Sequence, residues 1–574
     1  MITDIFLFFI IGFIITSVIF GYGYCFKIIF GKDLNIKNHE IGFFGYVVIF
    51  LLSNLIHFFS PLSIFVSYFL IFVGLIFFII NFEFKKFFKK KNFYISIFLF
   101  FLLSLTINYH DDRYWYQLPY INYFQNYKII LGANALNSYF YGNAIYDIMS
   151  IFNLGFLPNS ILYIVPCTII FFLIFFILEE YKLNKFSQGL IYIVFFLVVI
   201  LLRYTRSKEY GADLITMSYM FLVVYYTYNL EEKNQNNSIF KTYIFFIFSI
   251  FSKLYSIFFI FFPIYLFTKN FRETLNLFKK KLLLIFFIFL ISIPLLKNYL
   301  HSSCLIYPVK ITCFSSNSWY NGDKIINHLE NGGSALAKGF KNYIYEKNNP
   351  KLTFEDFFSE HKYSYFKYLI KDKDFERFIL IIFILIISFF VCFKKKNLNK
   401  NFSQFNLIFL ILSVFSFLFW LFTLPQTRYG GNIVILILIA SVFNYLFHDW
   451  RFNLNKISKI YLIFLFGFII FKNLDRIKNE IIFAKDNNLN FPLRNLSDFS
   501  GYSSSKFGID FIITNHKRYC VDVKKLCITK EYYEAIDDIY NKNSYKIVKP
   551  NKSKLVQAQE INVLDHKETY INYK

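Results

Sequence analysis

Charge is scarce in this chain. Asp, Glu, Lys and Arg make up only 17% of its 574 residues, and they are clumped rather than spread. A soluble chain usually carries about 25%, so this composition argues against a water-exposed globule. The sequence has no glycine-rich phosphate loop of the Walker type and no dinucleotide fingerprint, which excludes the P-loop and Rossmann classes of nucleotide chemistry. No internal repeat is visible, although transporter folds are commonly built from repeats. Residues 1–23 lack a basic start and a small-residue cleavage site. They therefore read as a first membrane span and not as a cleavable signal peptide.

What is abundant is apolar length. Hydrophobic residues make up 56% of the chain and the mean hydropathy is +0.45. A helix needs about 20 residues to cross roughly 30 Å of hydrocarbon. Runs that approach this length occur at 3–23, 41–59, 61–82, 92–108, 160–179, 187–203, 213–229, 240–252, 254–267, 282–298, 377–394, 404–424, 431–447 and 458–473. The expectation is an all-α polytopic membrane protein of about fourteen helices. The pair within 240–267 is short, and reads either as a broken pair or as a re-entrant segment. The 83 Phe, together with many Ile, Asn, Lys and Tyr, have the bias of an AT-rich genome, so no single Phe is informative.

The formal net charge of +24 invites a nucleic-acid reading. The lysines, however, sit in short connections at 85–91 (KKFFKKK), 182–185, 269–281 and 394–400. An even number of spans separates each from the next, so all fall on one face, the cytoplasmic one by the positive-inside rule. The opposite face then receives the loops 109–159 and 299–376, the short loop at 204–212, the turn 425–430 and a tail from 474 to 574. This divides the chain into a transmembrane domain, 1–473, and a small extracytoplasmic α+β module, 474–574. In that module 507–514 and 519–528 read as strands around a turn, and 532–540 as a short helix.

The first outer loop holds the densest chemistry. It opens with Asn108, Tyr109, His110, Asp111, Asp112 and Arg113. Two adjacent carboxylates at a span end are either simply solvated or face a cavity as a general base or metal ligand, tuned by His110 and Arg113. The next stretch, RYWYQLPYINYFQNYK, is aromatic and amphipathic and suits a helix lying in the interface. Turn residues around Gly132 and at Gly142 and Asn143 then lead to a short apolar stretch, 144–156.

This order resembles the GT-C superfamily of membrane glycosyltransferases, in particular its bacterial multi-span members. The residues that carry the resemblance are Asp112 with Tyr116, Gln117 and Leu118, then Gly132-Ala133-Asn134-Ala135-Leu136 and Gly142-Asn143-Ala144. Gln117 stands where the family pattern has His. Further along, Lys297-Asn298-Tyr299, Ser302–Pro308 and Pro425-Gln426-Thr427-Arg428-Tyr429 resemble family segments, as do Cys520 and Cys527 of the tail. The resemblance implies transfer of a sugar from a polyprenyl-phosphate donor to a glycan, lipid or protein acceptor, on the extracytoplasmic face of a bacterial inner membrane. It places the general base on Asp112, or on Asp111, with a divalent cation (Mg or Mn) as an optional partner of the acidic pair. Membrane lipid, and not nucleic acid, is the surrounding partner.

Donor phosphate needs cations. Lys253, between the two short runs, and Arg428 are candidates, and either can equally be a snorkelling span-end residue. Glu209 and Asp213 lie one helical turn apart and read as polar span ends or as part of the site; Tyr116 and Asn143 complete the set. Seven cysteines are present. Cys304 pairs with Cys313 and Cys520 with Cys527 in the expected disulfides of an oxidising face. A metal site at these cysteines would need His or more Cys nearby, so none is expected there. Cys25, Cys167 and Cys392 read as packing residues. Two other classes compete with the enzyme reading: a flippase or other transporter for lipid-linked saccharide, and a polysaccharide polymerase.

Overall fold

A computed structural model of the chain describes residues 2–83, 87, 89–105, 107–108, 112–138, 140, 142–154, 159–183, 189–203, 207–208, 212–233, 237–349, 352–361, 365, 367–368, 373–395, 403–425, 430–447, 450–452, 455–486, 491–492, 501–506, 509–514, 526–542 and 545–555. The long apolar runs become helices, and the isolated Pro166, Pro263 and Pro294 do not interrupt them. In chain order these are α1 (Ile2–Leu34), α2 (Ile41–Phe59), α3 (Ile64–Asn81), α4 (Lys91–Ser104), α5 (Leu118–Asn126), α6 (Ala144–Phe152) and α7 (Ile164–Leu183). They continue with α8 (Leu190–Arg203), α9 (Asp213–Lys233), α10 (Asn237–Ser252), α11 (Phe261–Lys269), α12 (Phe271–Phe278) and α13 (Lys281–Ser302). After α14 (Asp323–Ala337), α15 (Phe340–Lys347) and α16 (Phe354–His361) come α17 (Lys373–Cys392), α18 (Ser403–Thr423), α19 (Asn432–Leu446) and α20 (Lys456–Asp486). Among the described residues seven helices are long and apolar enough to cross a membrane, or eight if a bent pair counts as one more. The protein is a multi-span helical membrane protein.

Burial separates the centre from the rim. The segment Ile161–Leu183, which contains α7, is 94% buried, whereas α3 and α20 are only 22% buried. The rim helices turn Phe and Ile outwards (Phe65, Phe69, Ile80, Phe464 and Phe471 are all exposed), which is favourable only against lipid. In the centre the aromatic rings meet edge to face, the arrangement their quadrupoles prefer. Phe20 alone touches Phe82, Phe87, Phe171 and Phe172 in this way.

Two polar ends cap the bundle. At one end Glu180 accepts from Lys37 at 2.5 Å and Tyr225 at 2.8 Å, with His39 at 2.7 Å. Glu40 pairs with Lys241 at 2.7 Å and with the Tyr226 hydroxyl. Burial alone would raise the Glu40 carboxyl, but Lys241, His39 and Tyr226 together hold it below the usual range. Lys90 meets Glu179 at 2.5 Å and Lys280 meets Asp33 at 2.6 Å. Two of the lysine-rich connections, through Lys90 and Lys280, thus find acidic partners among these helix ends. The helix ends around Asp213, Ser252 and Ser302 gather at the other.

Several elements depart from the linear pattern. The run at 92–108 stops as a helix at Ser104, and β1 (Ile107–Asn108) pairs in parallel with β2 (Ser207–Lys208). The segment from Leu254 starts as a 3-10 helix, and α12 turns 91° away from the piece before it. The aromatic stretch after Asp112 forms a π-helical segment (Arg113–Gln117) followed by α5. It is not an interfacial helix, because Leu118–Phe124 are all buried. After the antiparallel pair β3 (Phe393–Lys395) and β4 (Trp450–Phe452), the third sheet system of the chain forms part of its cover. In that system β5 (Gly501–Lys506) pairs antiparallel with β6 (Ile509–Thr514), and β6 pairs in parallel with β7 (Leu526–Thr529). A separate hairpin joins β8 (Ile536–Lys542) to β9 (Tyr545–Pro550), and Val548 N–H donates to Leu131 O. The expected helix at 532–540 is instead a five-residue turn of helix, α21 (Lys530–Glu534), running into β8. The ladder with β9 satisfies the backbone of 536–542 and decides its conformation.

Candidate functional site

The short helix α6 reads AIYDIMSIF, and every residue of it is buried. Its start is fixed by Asn143, whose side-chain oxygen accepts from Ile145 N–H at 2.9 Å, an N-cap. The cap aims the one charge of the helix, Asp147, into the protein. There its carboxylate lies 2.8 Å from Lys297 Nζ of α13, and accepts from Asn54 at 3.0 Å and Tyr120 OH at 3.1 Å. Both charged side chains are 1% exposed. Burial pushes the Asp147 carboxyl above its ordinary range, against the pull of Lys297, Asn54 and Tyr120. The Lys297 ammonium also lies 3.9 Å from the centre of the Phe124 ring, a cation–π contact. His57 stacks on the same ring at 3.8 Å. A small cleft of about 170 Å³ borders the pair, walled by Phe50, Asn54, Gly142, Phe251 and Asn298.

A second ion pair is joined to this cleft through Asn143, next to Gly142 of its wall. The Asn143 amide donates to Ser252 O at 2.8 Å, which fixes the turn that follows α10. The next residue, Lys253, has extended backbone and reaches Asp213 at the start of α9 at 2.6 Å. Tyr255 OH donates to the same carboxylate at 3.3 Å. Gly142 N–H donates to Asn298 Oδ1 at 3.1 Å, so the Gly-Asn turn is held from both sides. The two pairs differ in access. Lys297 is sealed, whereas Lys253 keeps 22% of its side chain exposed. A fully buried pair is a fastener; a half-open ammonium can still take a further anionic oxygen.

The structure brings three of the sequence candidates together directly: Asn143, Lys253 and Asp213. Tyr116 joins them through α6, where its ring meets Tyr146 edge-on at 6.4 Å. Asp112, half-buried, precedes the π-helical segment. Asn108, four residues before it, pairs with Lys208, five residues before Asp213, so the two short strands that precede these acidic residues run side by side. Asp111, Glu209, Arg428 and Cys520 lie outside the described residues. Gly430, however, packs against Tyr255 closely enough that an added Cβ would sit 2.9 Å from its ring, and this puts the end of the 425–430 turn beside the open pair. Cys304 and Cys313 form the expected disulfide, with an S–S distance of 2.05 Å. Cys527 is also disulfide-bonded.

Among the described residues one group of three potential metal ligands occurs: His39, Glu40 and Glu180. It lies at the far end of the bundle, and Lys241 and Lys37 already neutralise its carboxylates, so it is an ion-pair knot and a poor cation site. Of Asp147 and Lys297, only Lys297 is a residue named from the sequence, as part of a segment resembling the GT-C pattern. Each is a lone charge of opposite sign inside an apolar segment, and such charges seek each other or a cavity.

Fold and site together define a polytopic membrane protein whose polar, partly open cluster lies at one end of the bundle. The chain belongs to the family described as "Domain of unknown function (DUF8201)", whose model matches residues 5–436. The match takes in both ion pairs and stops within α19. No curated protein and no solved structure matches the chain.

Proposed function

We propose that this protein is a GT-C-like glycosyltransferase. It takes a sugar from a polyprenyl-phosphate donor and transfers it, with inversion, to a glycan, lipid or protein acceptor. In this reading about fourteen helices cross a bacterial inner membrane, and the Asp213–Lys253 end is extracytoplasmic. Asp112 is the general base for the acceptor hydroxyl, with Asp111 beside it and Mg or Mn as an optional partner of the pair. Lys253 and Arg428 hold the donor phosphate as it leaves. Glu209, Asp213 and Tyr116 shape the pocket, and Asn143 fixes the turn that carries Lys253.

The observation that carries this reading is the half-open Lys253–Asp213 pair, tied by Asn143 to the first long loop and flanked by the parallel β1–β2 contact. It sets an accessible cation near an acidic loop, the two charges that phosphate departure and hydroxyl activation require. A transporter would instead be expected to carry its accessible charges near mid-membrane, whereas here the half-open pair, Asp213–Lys253, sits at helix ends.

General-base catalysis typically contributes about 10²–10⁴-fold. Asp112→Asn should therefore lower transfer of radiolabelled sugar from lipid carrier to acceptor by about that factor, with expression unchanged. An Asp111→Asn/Asp112→Asn double variant that keeps full transfer would refute the assignment.

A further inference from the structure

The short loop that follows α13 holds an isoleucine out of the protein. Ile311 is 93% exposed, and Leu305 and Phe314 beside it are exposed as well. This is not a frayed segment. Cys304 and Cys313 close the loop covalently. Leu305 N–H donates to Thr312 O at 3.0 Å, and Phe314 N–H to Ser303 O at 2.8 Å. Thr312 Oγ1 donates across the loop to Ile306 O at 3.0 Å. Tyr307, Cys304, Tyr320 and Ile326 form a small buried cluster beneath. The apolar tip therefore cannot fold back to bury itself, and a rigid apolar surface facing water is costly.

We propose that this stapled loop is an interfacial foot, which inserts Ile311, Leu305 and Phe314 into the lipid leaflet at the Ser302 end of α13. Position along the membrane normal comes from two contacts. The Phe314 ring meets Tyr299 edge-on at 5.3 Å, and the Asn298 amide reaches Leu305 O at 3.4 Å. Both partners belong to the last turns of a membrane-spanning helix, so the loop doubles back to interface depth. Orientation comes from the helix itself. Ile285, Phe289, Ser292 and Leu296 are exposed at helical spacing and continue to Tyr299, which is the face this helix turns to lipid. The foot extends that face. Tyr299 and Trp319, 6.1 Å apart, supply the aromatic pair usual at headgroup level. The polar side of the loop stays on water: Lys310 pairs with exposed Asp323 at 3.4 Å.

The test uses the full-length protein in phospholipid vesicles. Ile311→Trp adds a reporter at a fully open position, and Lys324→Trp, on exposed α14, is the aqueous control. The emission each variant adds over the parent protein is read in ordinary lipid and in lipid brominated along the acyl chain. We expect the Trp at 311 to emit at shorter wavelength than the control and to lose intensity to the brominated chains, while the control loses none. Emission at 311 that matches the control, or a blue-shifted emission that bromine does not quench, would overturn the proposal. The second outcome would mean that protein and not lipid covers the tip.

Discussion

Asp147 and Lys297 show how much one side-chain pair can hold. Their contact ties the first long loop to α13, and neither reaches solvent. Removing one partner of such a pair leaves a buried charge alone and costs about 3–5 kcal/mol, whereas removing both with apolar or neutral groups of similar size is close to neutral. Lys297→Met should therefore lower the unfolding temperature of the purified protein well below that of the parent. Adding Asp147→Asn to it should recover most of the loss, a coupling that a double-mutant cycle measures. If the double variant were as unstable as the sum of the singles, the pair would not be the fastener described here. Both residues stand out in the linear sequence as single charges in apolar segments. That they meet was not legible, because they lie 150 positions apart and no spacing rule spans that distance. Asp213, Lys253 and Asn143 were legible as polar residues at run ends, and the Asn143 cap and its amide then draw two of those ends together.

Close backbone approach sets the relation of the first three helices. A Cβ added to Gly21 would lie 1.8 Å from the Gly74 carbonyl oxygen, and one added to Gly45 would lie 1.9 Å from that of Ile19. Small residues at such crossings let helices pack without a lipid layer between them. The obstructing atoms are backbone, so no rotamer change relieves the clash, and Gly21→Ala should cost at least the 1–3 kcal/mol or so typical of overpacking. Gly467 on α20 has nothing within 4 Å of its Cβ position. There the same substitution should be neutral or gain about 0.5–1 kcal/mol from helix propensity. Thermal unfolding in one detergent compares the two, and equal effects would refute the close-packed crossing. Helix existence was readable from apolar length, but helix ends were not. α1 continues to Leu34 and α20 to Asp486, because charged side chains project from a helix end into water without breaking it. In the tail the strand at 509–514 was readable from alternation. The described end of the run read as a strand at 519–528 is β7, whereas the helix read at 532–540 gives way to β8 because the adjacent strand β9 pairs with it as a hairpin.

At the scale of the whole molecule, the buried and half-buried ion pairs sort between the two ends of the bundle. Lys37, Lys90, Lys241 and Lys280 find acidic partners at one end of the bundle, and Lys253 and Lys297 find theirs at helix ends on the other. α13 connects the two ends directly, running from Lys281 beside the Asp33 contact to Ser302 below the disulfide loop. The proposed chemistry requires the second end to be extracytoplasmic, since polyprenyl-linked donors are consumed there in the class this chain resembles. Lys89 and Lys324 are both exposed and mark opposite ends. Cys167 and Cys392 are buried and Cys25 is partly so, which keeps the background of thiol labelling low. With a membrane-impermeant thiol reagent, Lys324→Cys should react in spheroplasts, and Lys89→Cys only after the membrane is opened. The reverse pattern would turn the bundle over and place the Asp112 loop among the cytoplasmic nucleotides, removing the lipid-linked donor from the reading. Labelling of both from outside would break the odd number of crossings, seven, between them, and with it the assignment of 240–252 and 254–267 as two passes that meet at Lys253.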